Sequence, residues 1–418
     1  MYKTTLGAAA LALTATAATA GGIERASNDY GFLFTPGNAF SIGHSIVTPS
    51  VSGKYTAALG GGSTGNMARS FGTFSLSAKT DFTDQLTLGL YHNQAYGANA
   101  LYTQGFYTGL TADWQSKQTS VILKYKLSDR FSVFGGARYV LSKANIIIPD
   151  QMIRGATGQS VVAGISQIQA GLAQLAAAGA PATDPRVLGL QAQLAQAVAY
   201  GTAVATAPAG AFQYNATGAQ TGDFGYTLGA AYEIPDIALR VALTYESAVT
   251  HKFATSESLP FFAIPGSSET KITMPQSVAL DFQTGVAPGT LVFGQVKWTE
   301  WSAWHVETPG YKSVTGNEVT GFESDVVTWK LGVGKQFNEN YSAFAQITYE
   351  AGDGKVASRL SPTDGRTSLG LGAQFTEGPH KLRVGVEYVD LGDATDASGT
   401  KFKNNSAWGV GVSYTANF

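Results

Sequence analysis

The chain has 418 residues, with Lys+Arg 27 against Asp+Glu 29 and a net charge of −2. That balance leaves no electrostatic footprint for a nucleic acid, and the lack of Cys excludes disulfides, thiolate metal sites and cysteine nucleophiles. Charged residues make up 13%, about half the roughly 25% of soluble domains, and a water-soluble globule normally shows more.

The first twenty residues read as a secretory signal. Lys3 gives the positive start, Leu6 to Leu13 the apolar centre, and Ala18-Thr19-Ala20 the small-residue cleavage site. The apolar stretch is too short to favour a spanning helix. The next segment, 21–38, has no tidy period. Its Ile23 and its run Tyr30-Gly31-Phe32-Leu33-Phe34 are poor residues to leave in water. Folded into a lumen they make an apolar plug; the alternative is a disordered leader.

From 39 to 418 the chain alternates with a period of two, the mark of strands facing two different solvents. Val121, Leu123, Tyr125 and Leu127 alternate with Ser120, Lys124 and Lys126. Phe131, Val133, Ala137, Tyr139 and Leu141 alternate with Ser132, Arg138 and Ser142. Leu239, Val241, Leu243 and Tyr245 face away from Arg240, Thr244 and Glu246. Charge falls on one face only, as in an apolar-out, polar-in transmembrane barrel. Tight turns rich in Asp, Asn, Gly and Pro fall at 81–84, 128–129, 235–236, 285–289, 338–340 and 377–379. They alternate with long connections at roughly 52–67, 98–112, 148–212, 252–270, 306–323, 352–365 and 392–404. Six short and seven long connections join fourteen strands, with the short turns on the periplasmic side. The expected fold is therefore an all-β membrane protein, a 14-stranded antiparallel β-barrel over 39–418. Tyrosines near strand ends, such as Tyr125, Tyr232, Tyr349 and Tyr388, fit interfacial girdles. The last segment alternates up to Phe418.

Two outer connections carry apolar residues. Between 155 and 205, Val161, Ile165, Ile168 and Leu172 recur near helical spacing, as do Leu190, Leu194 and Val198 after Pro185. A helical hairpin broken at 179–185 is expected. It serves either as a structural lid or as a ligand platform. The loop after Lys252 holds Phe261, Phe262 and Ile264 between two prolines, which bar a helix interior or a central strand.

Nothing points to catalysis. His44, His92, His251, His305 and His380 are scattered, and H-E-x-x-H and P-loop motifs are missing. Glu350, Asp353 and Asp364 read as a solvated loop rather than a cation site. No cofactor or metal is expected.

Three short stretches carry a resemblance through their order along the chain. They are Ala95-Tyr96-Gly97-Ala98-Asn99 closing the third strand, Met274-Pro275-Gln276 entering the eighth, and Thr299-Glu300-Trp301-Ser302-Ala303-Trp304 closing the ninth. With the irregular start, the strand count and the helical third outer loop, the chain resembles the FadL/TodX (OMPP1) family. That family comprises outer-membrane channels for long-chain fatty acids and other hydrophobic compounds. The resemblance implies passive uptake across the bacterial outer membrane by a monomer in contact with lipid and lipopolysaccharide. It implies an outer groove of Val161, Ile165, Ile168, Leu172, Phe261, Phe262 and Ile264, and an inner pocket at Ile23, Phe32, Leu33 and Phe34. Lateral release into the membrane would pass a kink near Gly97. The family's Asn-Pro-Ala tripeptide does not occur between Gly21 and Gly53, which implies a shorter plug. A carboxylate ligand would want a cation, and Arg138, Arg240 and Lys330 face the lumen. Their other reading is ion pairing with Glu246, Asp281, Glu300 or Glu387. A polar-solute porin and a structural or adhesive surface barrel remain the competing readings.

Overall fold

The computed structural model describes residues 22–418, so the signal segment expected at 1–20 lies outside the described residues. Fourteen antiparallel strands close into a barrel. They are β1 (Ala39–Ser50), β2 (Phe71–Asp81), β3 (Leu86–Asn93 and Gly97–Leu101), β4 (Thr111–Lys126) and β5 (Phe131–Ile148). Next come β6 (Tyr214–Ile234), β7 (Leu239–Glu246 and Val249–Ser258), β8 (Ser267–Met274 and Ser277–Ala287) and β9 (Thr290–Thr299). The last five are β10 (Val326–Gln336), β11 (Tyr341–Glu350), β12 (Arg366–Glu377), β13 (His380–Leu391) and β14 (Asn405–Asn417). Pairing of β1 with β14, from Ala39↔Asn417 to Ser50↔Ser406, closes the barrel. No helix among the described residues is long and apolar enough to cross a membrane; the strands do that work.

The side-chain alternation follows the two-solvent rule. Val121, Leu123 and Tyr125 are exposed on the outside, while Ser120, Ile122 and Lys124 are buried inside. Outward aromatics pair at both ends of the apolar band. At the short-turn end, Phe131 meets Tyr232 at 5.1 Å and Tyr341 meets Phe375 at 5.2 Å. At the outer end, Tyr139 meets Phe224 at 4.9 Å and Tyr388 meets Trp408 at 5.0 Å. These are the two girdles.

Much of the glycine content is explained by close approach across the sheet. Phe134, Phe293 and Phe344 each stand directly opposite a glycine, at Gly229, Gly332 and Gly372. A Cβ on Gly229 would sit 2.1 Å from Phe134 Cζ. The ring lies flat over the neighbouring strand because no side chain opposes it.

Two strands depart from the sequence expectation. The stretch 252–270, expected as a loop, is strand up to Ser258 and again from Ser267. β7 and β8 also break side by side, after Glu246 and Met274, so Pro275 marks the break rather than the start of β8. The break flips the side-chain parity. Ala242 and Thr244 face in below it, and Val249, His251, Phe253 and Thr255 face in above it. Above the bilayer the outer face meets water, so Lys252 can point outward there, opposite in sense to the lower half.

The helical insertion spans α1 (Asp150–Ala177) and α2 (Pro185–Thr206). At 1.5 Å per residue, α1 is about 42 Å long. Arg154 ties the base of the hairpin: it pairs with Asp150 at 2.7 Å and donates to the carbonyls of Val204 at 2.7 Å and Pro208 at 2.9 Å. A cation there meets the exposed carbonyls at the end of α2. A third short helix, α3 (Pro309–Thr315), lies in the β9–β10 connection.

Candidate functional site

The amino-terminal segment runs inside the barrel. Ile23 and Arg25 lie along β3 where that strand is broken: Gly97 N donates to Ile23 O at 2.8 Å, and Arg25 N donates to Ala95 O at 2.8 Å. The segment finds a free edge because β2 pairs with β3 only from Ser75↔Asn93 to Asp81↔Thr87. Residues Phe71 to Phe74 have no ladder partner on β3, which leaves a gap in the wall. β1 places it in height: Val47 pairs with Phe71 on one side and with Gly409, next to Trp408, on the other. The gap therefore opens near the outer aromatic girdle.

Arg25 lies across this gap. Its guanidinium stacks over the Phe71 ring, 3.9 Å from the centroid, and donates to Asn99 Oδ1. Gly97 is needed at this point, since a Cβ there would come within 2.4 Å of Arg25 Nε. Farther along, Asp29 caps a 3₁₀ turn over Tyr30–Phe34 by accepting from Gly31 N at 2.9 Å. Phe32 and Leu33 are fully buried with Tyr91, Ile122 and Phe134. Tyr30 OH donates to Glu246 at 2.6 Å. Lysines from the wall hold the backbone: Lys124 Nζ donates to Leu33 O at 2.6 Å and Lys79 Nζ to Thr35 O at 2.5 Å. Those carbonyls would otherwise be buried without partners.

Above the plug lies an apolar cavity of about 70 Å³, walled chiefly by Ile23, Trp114, Phe253, Ile272, Trp304 and Phe322. Among the described residues that line it, Asp113 is the one charged residue, and none is Lys or Arg. It adjoins a larger outer cavity of about 280 Å³ between the β9–β10 and β11–β12 connections, sharing Ile146, Phe322 and Leu360 with it. On the other side it adjoins a crevice of about 40 Å³ at Arg25, Phe71 and Gly97, sharing Ile23, Ala98 and Leu360. The three form a series from the outer loops to the gap in the wall. Toward the short-turn end the lumen changes character. Arg138 pairs with Glu246 at 2.9 Å and Lys297 with Glu24 at 2.5 Å, while Arg366 pairs with Glu350 at 2.6 Å at the outer ends of β12 and β11.

The expected site residues separate into distinct places. Ile23 lines the apolar cavity, whereas Phe32 and Leu33 form the plug's own core and Phe34 lies under Lys124 and Arg240. Gly97 sits at the break in β3. Of the cation candidates, Arg138 is ion-paired, Arg240 donates to Gln283 at 2.9 Å, and Lys330 lies near Glu387 and Asp281. None of the three walls the apolar cavity. The seven residues expected as one outer groove are not brought together. Val161, Ile165, Ile168 and Leu172 are half-buried on α1, in the hairpin with α2. Val161 reaches over Gly201, and Leu190 reaches back over Gly171. Small residues at both crossings let the helices approach, so that face is spent on the hairpin itself. Phe261, Phe262 and Ile264 pack instead at the hairpin's base, where Phe261 stacks on Phe212 at 4.2 Å. Sequence reasoning missed Trp114, Phe253, Trp304, Phe322 and Leu360. The available signal was large apolar residues facing in; at Phe253 the parity flip in β7 hid it, and Trp304, Phe322 and Leu360 lie on outer connections with no alternation to read.

The sequence matches the family model for outer membrane protein transport protein (OMPP1/FadL/TodX) over residues 3–418. No curated protein matches it. A FadL homologue of Pseudomonas aeruginosa superposes with a TM-score of 0.66 at 12% identity, over 94% of this chain and 93% of that one. The toluene transporter TodX of Pseudomonas putida gives 0.60 at 13% identity, over 94% and 93%. The toluene transporter TbuX of Ralstonia pickettii gives 0.53 at 13%, over 92% and 90%. Likeness at such identities carries the fold, and the family model carries the membership. The chain belongs to the OMPP1/FadL/TodX family, and is a bacterial outer-membrane channel for hydrophobic compounds rather than an enzyme.

Proposed function

We propose that this channel passes small, uncharged hydrophobic molecules of monoaromatic size down their gradient. The observation that carries this reading is an inner cavity walled by aromatic and aliphatic side chains, with no Lys or Arg among the described residues that line it. A carboxylate placed there would lose its hydration and gain no partner, at a cost of several kcal/mol. Size limits what the cavity takes whole. About 70 Å³ is roughly half the ~150 Å³ of an apolar cavity that takes up benzene, so a monoaromatic ligand reaches into the adjoining cavities and a long acyl chain would have to run through all three. Two structural neighbours described as toluene transporters agree with this class.

The proposed path starts in the outer cavity at Val319, Phe322 and Leu360, continues beside Trp304 and Trp114, and ends at the gap between β2 and β3. Transfer out of water is worth roughly 0.8 kcal/mol per CH₂, about 6 kcal/mol for seven carbons before ordering losses. That draws the ligand in without an energy source. A straight exit to the periplasm would drag it past the ion pairs at Arg138 and Lys297. Leaving sideways near the outer girdle keeps it in apolar surroundings.

Ala98 lines both the inner cavity and the crevice beyond it. Ala98→Phe should close the doorway between them. Toluene uptake into proteoliposomes is expected to fall at least tenfold, roughly what blocking a single apolar passage implies, with barrel assembly intact by heat-modifiability in detergent. Unchanged uptake by a folded variant would rule out this route.

A further inference from the structure

The wall of the inner cavity contains one polar group with nothing to bond. Trp304 is 5% exposed and walls the cavity. Its ring packs on Trp114 at 5.8 Å and on Phe322 at 5.1 Å, yet its indole Nε1 is buried without a hydrogen-bond partner. The neighbouring indole is different: Trp114 Nε1 donates to Ser116 Oγ at 2.8 Å. The other polar groups around the cavity are also engaged. Thr255 donates to Thr270 at 2.8 Å, Thr308 bonds Tyr214 at 2.6 Å, and Thr320 bonds Ser358 at 2.7 Å. Asp113 accepts from Asn99 and from Gln115. Among the described residues on this wall, Trp304 Nε1 is the one buried side-chain polar atom left unsatisfied.

An unmet buried donor carries a desolvation cost, which a ligand acceptor would relieve. A carboxylate is a poor candidate, because no Lys or Arg is among the described residues that line the cavity and Asp113 adds negative charge to its wall. We propose that Trp304 is a specificity-determining residue, whose indole N–H makes the channel prefer neutral aromatic ligands bearing one hydrogen-bond acceptor, such as an aryl ketone, aldehyde or ester, over the bare hydrocarbon of equal size. This rests on reading the cavity as the channel's binding site. It adds a selective contact that apolar burial alone does not provide, since burial ranks ligands by area only.

Acetophenone and ethylbenzene have the same carbon skeleton and differ by the carbonyl oxygen. Their binding to the full chain in detergent is measured by equilibrium dialysis, for wild type and for Trp304→Phe, which keeps a ring against Trp114 and Phe322. The acetophenone-to-ethylbenzene affinity ratio is expected to fall between about twofold and tenfold in the variant, the range of one neutral hydrogen bond; the ratio is the readout because the smaller ring alters the cavity wall for both compounds. A second readout needs no variant. The carbonyl stretch of bound acetophenone in wild type should lie below its position in dry alkane. A ratio that stays the same, or a carbonyl band at the alkane position, overturns the inference while leaving the cavity as a binding site. Failure of both compounds to bind overturns the inference together with the binding-site reading beneath it.

Discussion

Asp29 is the residue through which pH is expected to act on the plug. One carboxylate oxygen caps the turn by accepting from Gly31 N, while Oδ2 is buried without a partner. Burial pushes its pKa up to about 6; Arg240 opposes that rise and Asp281 adds to it. A carboxyl group raised in the folded state favours docking in its neutral form. Its contribution is complete below the ordinary carboxylate range, near pH 4, and is lost as pH climbs through about 6. The segment 22–38 should therefore exchange its amide hydrogens more slowly at pH 5 than at pH 7.5. Asp29→Asn, always neutral, should flatten that dependence and protect the plug at the higher pH. An equal pH response in the variant would reject Asp29 as the titrating group. At this scale the sequence showed that Phe32 and Leu33 needed cover. It did not show that Tyr91, Ile122 and Phe134 supply it, because inward apolar residues on alternating strands look like gaps in a polar face.

Each element was legible to the extent that it touched lipid. Strands such as β4 and β13 alternate cleanly because their two faces meet acyl tails and water, and the tight turns 128–129 and 377–379 carry turn chemistry of their own. The upper halves of β7 and β8 rise above the bilayer, where both faces can be polar and parity has flipped, so 252–258 and 267–270 read as loop. The helical hairpin is the converse case. Its apolar spacing was visible, but the partner of that face was not. Since Val161 and Leu190 pack within the hairpin and Met152 alone of α1 lines a cavity, replacing 161–198 by a short Gly-Ser turn should leave toluene uptake within about twofold of wild type. That is the range expected of surface changes away from a site. A loss of tenfold or more in a folded variant would return the capture role to the hairpin.

For the whole molecule, the strand count and the sorting of connections by length sufficed to define a closed cylinder, since fourteen strands with seven long connections admit few other arrangements. The interior was another matter, because what fills a lumen depends on contacts between residues hundreds of positions apart, such as Lys297 with Glu24 and Tyr30 with Glu246. Those contacts decide between a wet pore and a stoppered one. With the plug docked, Phe32 and Leu33 fill the floor and Lys124 and Lys79 are consumed by its carbonyls, so ions have no continuous aqueous path there. Intact protein in a planar bilayer should pass no large steady current. Removing 22–38 would leave Arg138, Lys297 and Lys124 facing water and take Ile23 out of the cavity wall. The shortened barrel should then conduct as an open, salt-dependent pore, while its saturable uptake of toluene is lost. The two measurements are coupled, because one segment both blocks ions and walls the apolar path. A steady porin-like current through the intact chain would contradict that coupling and favour a polar-solute pore.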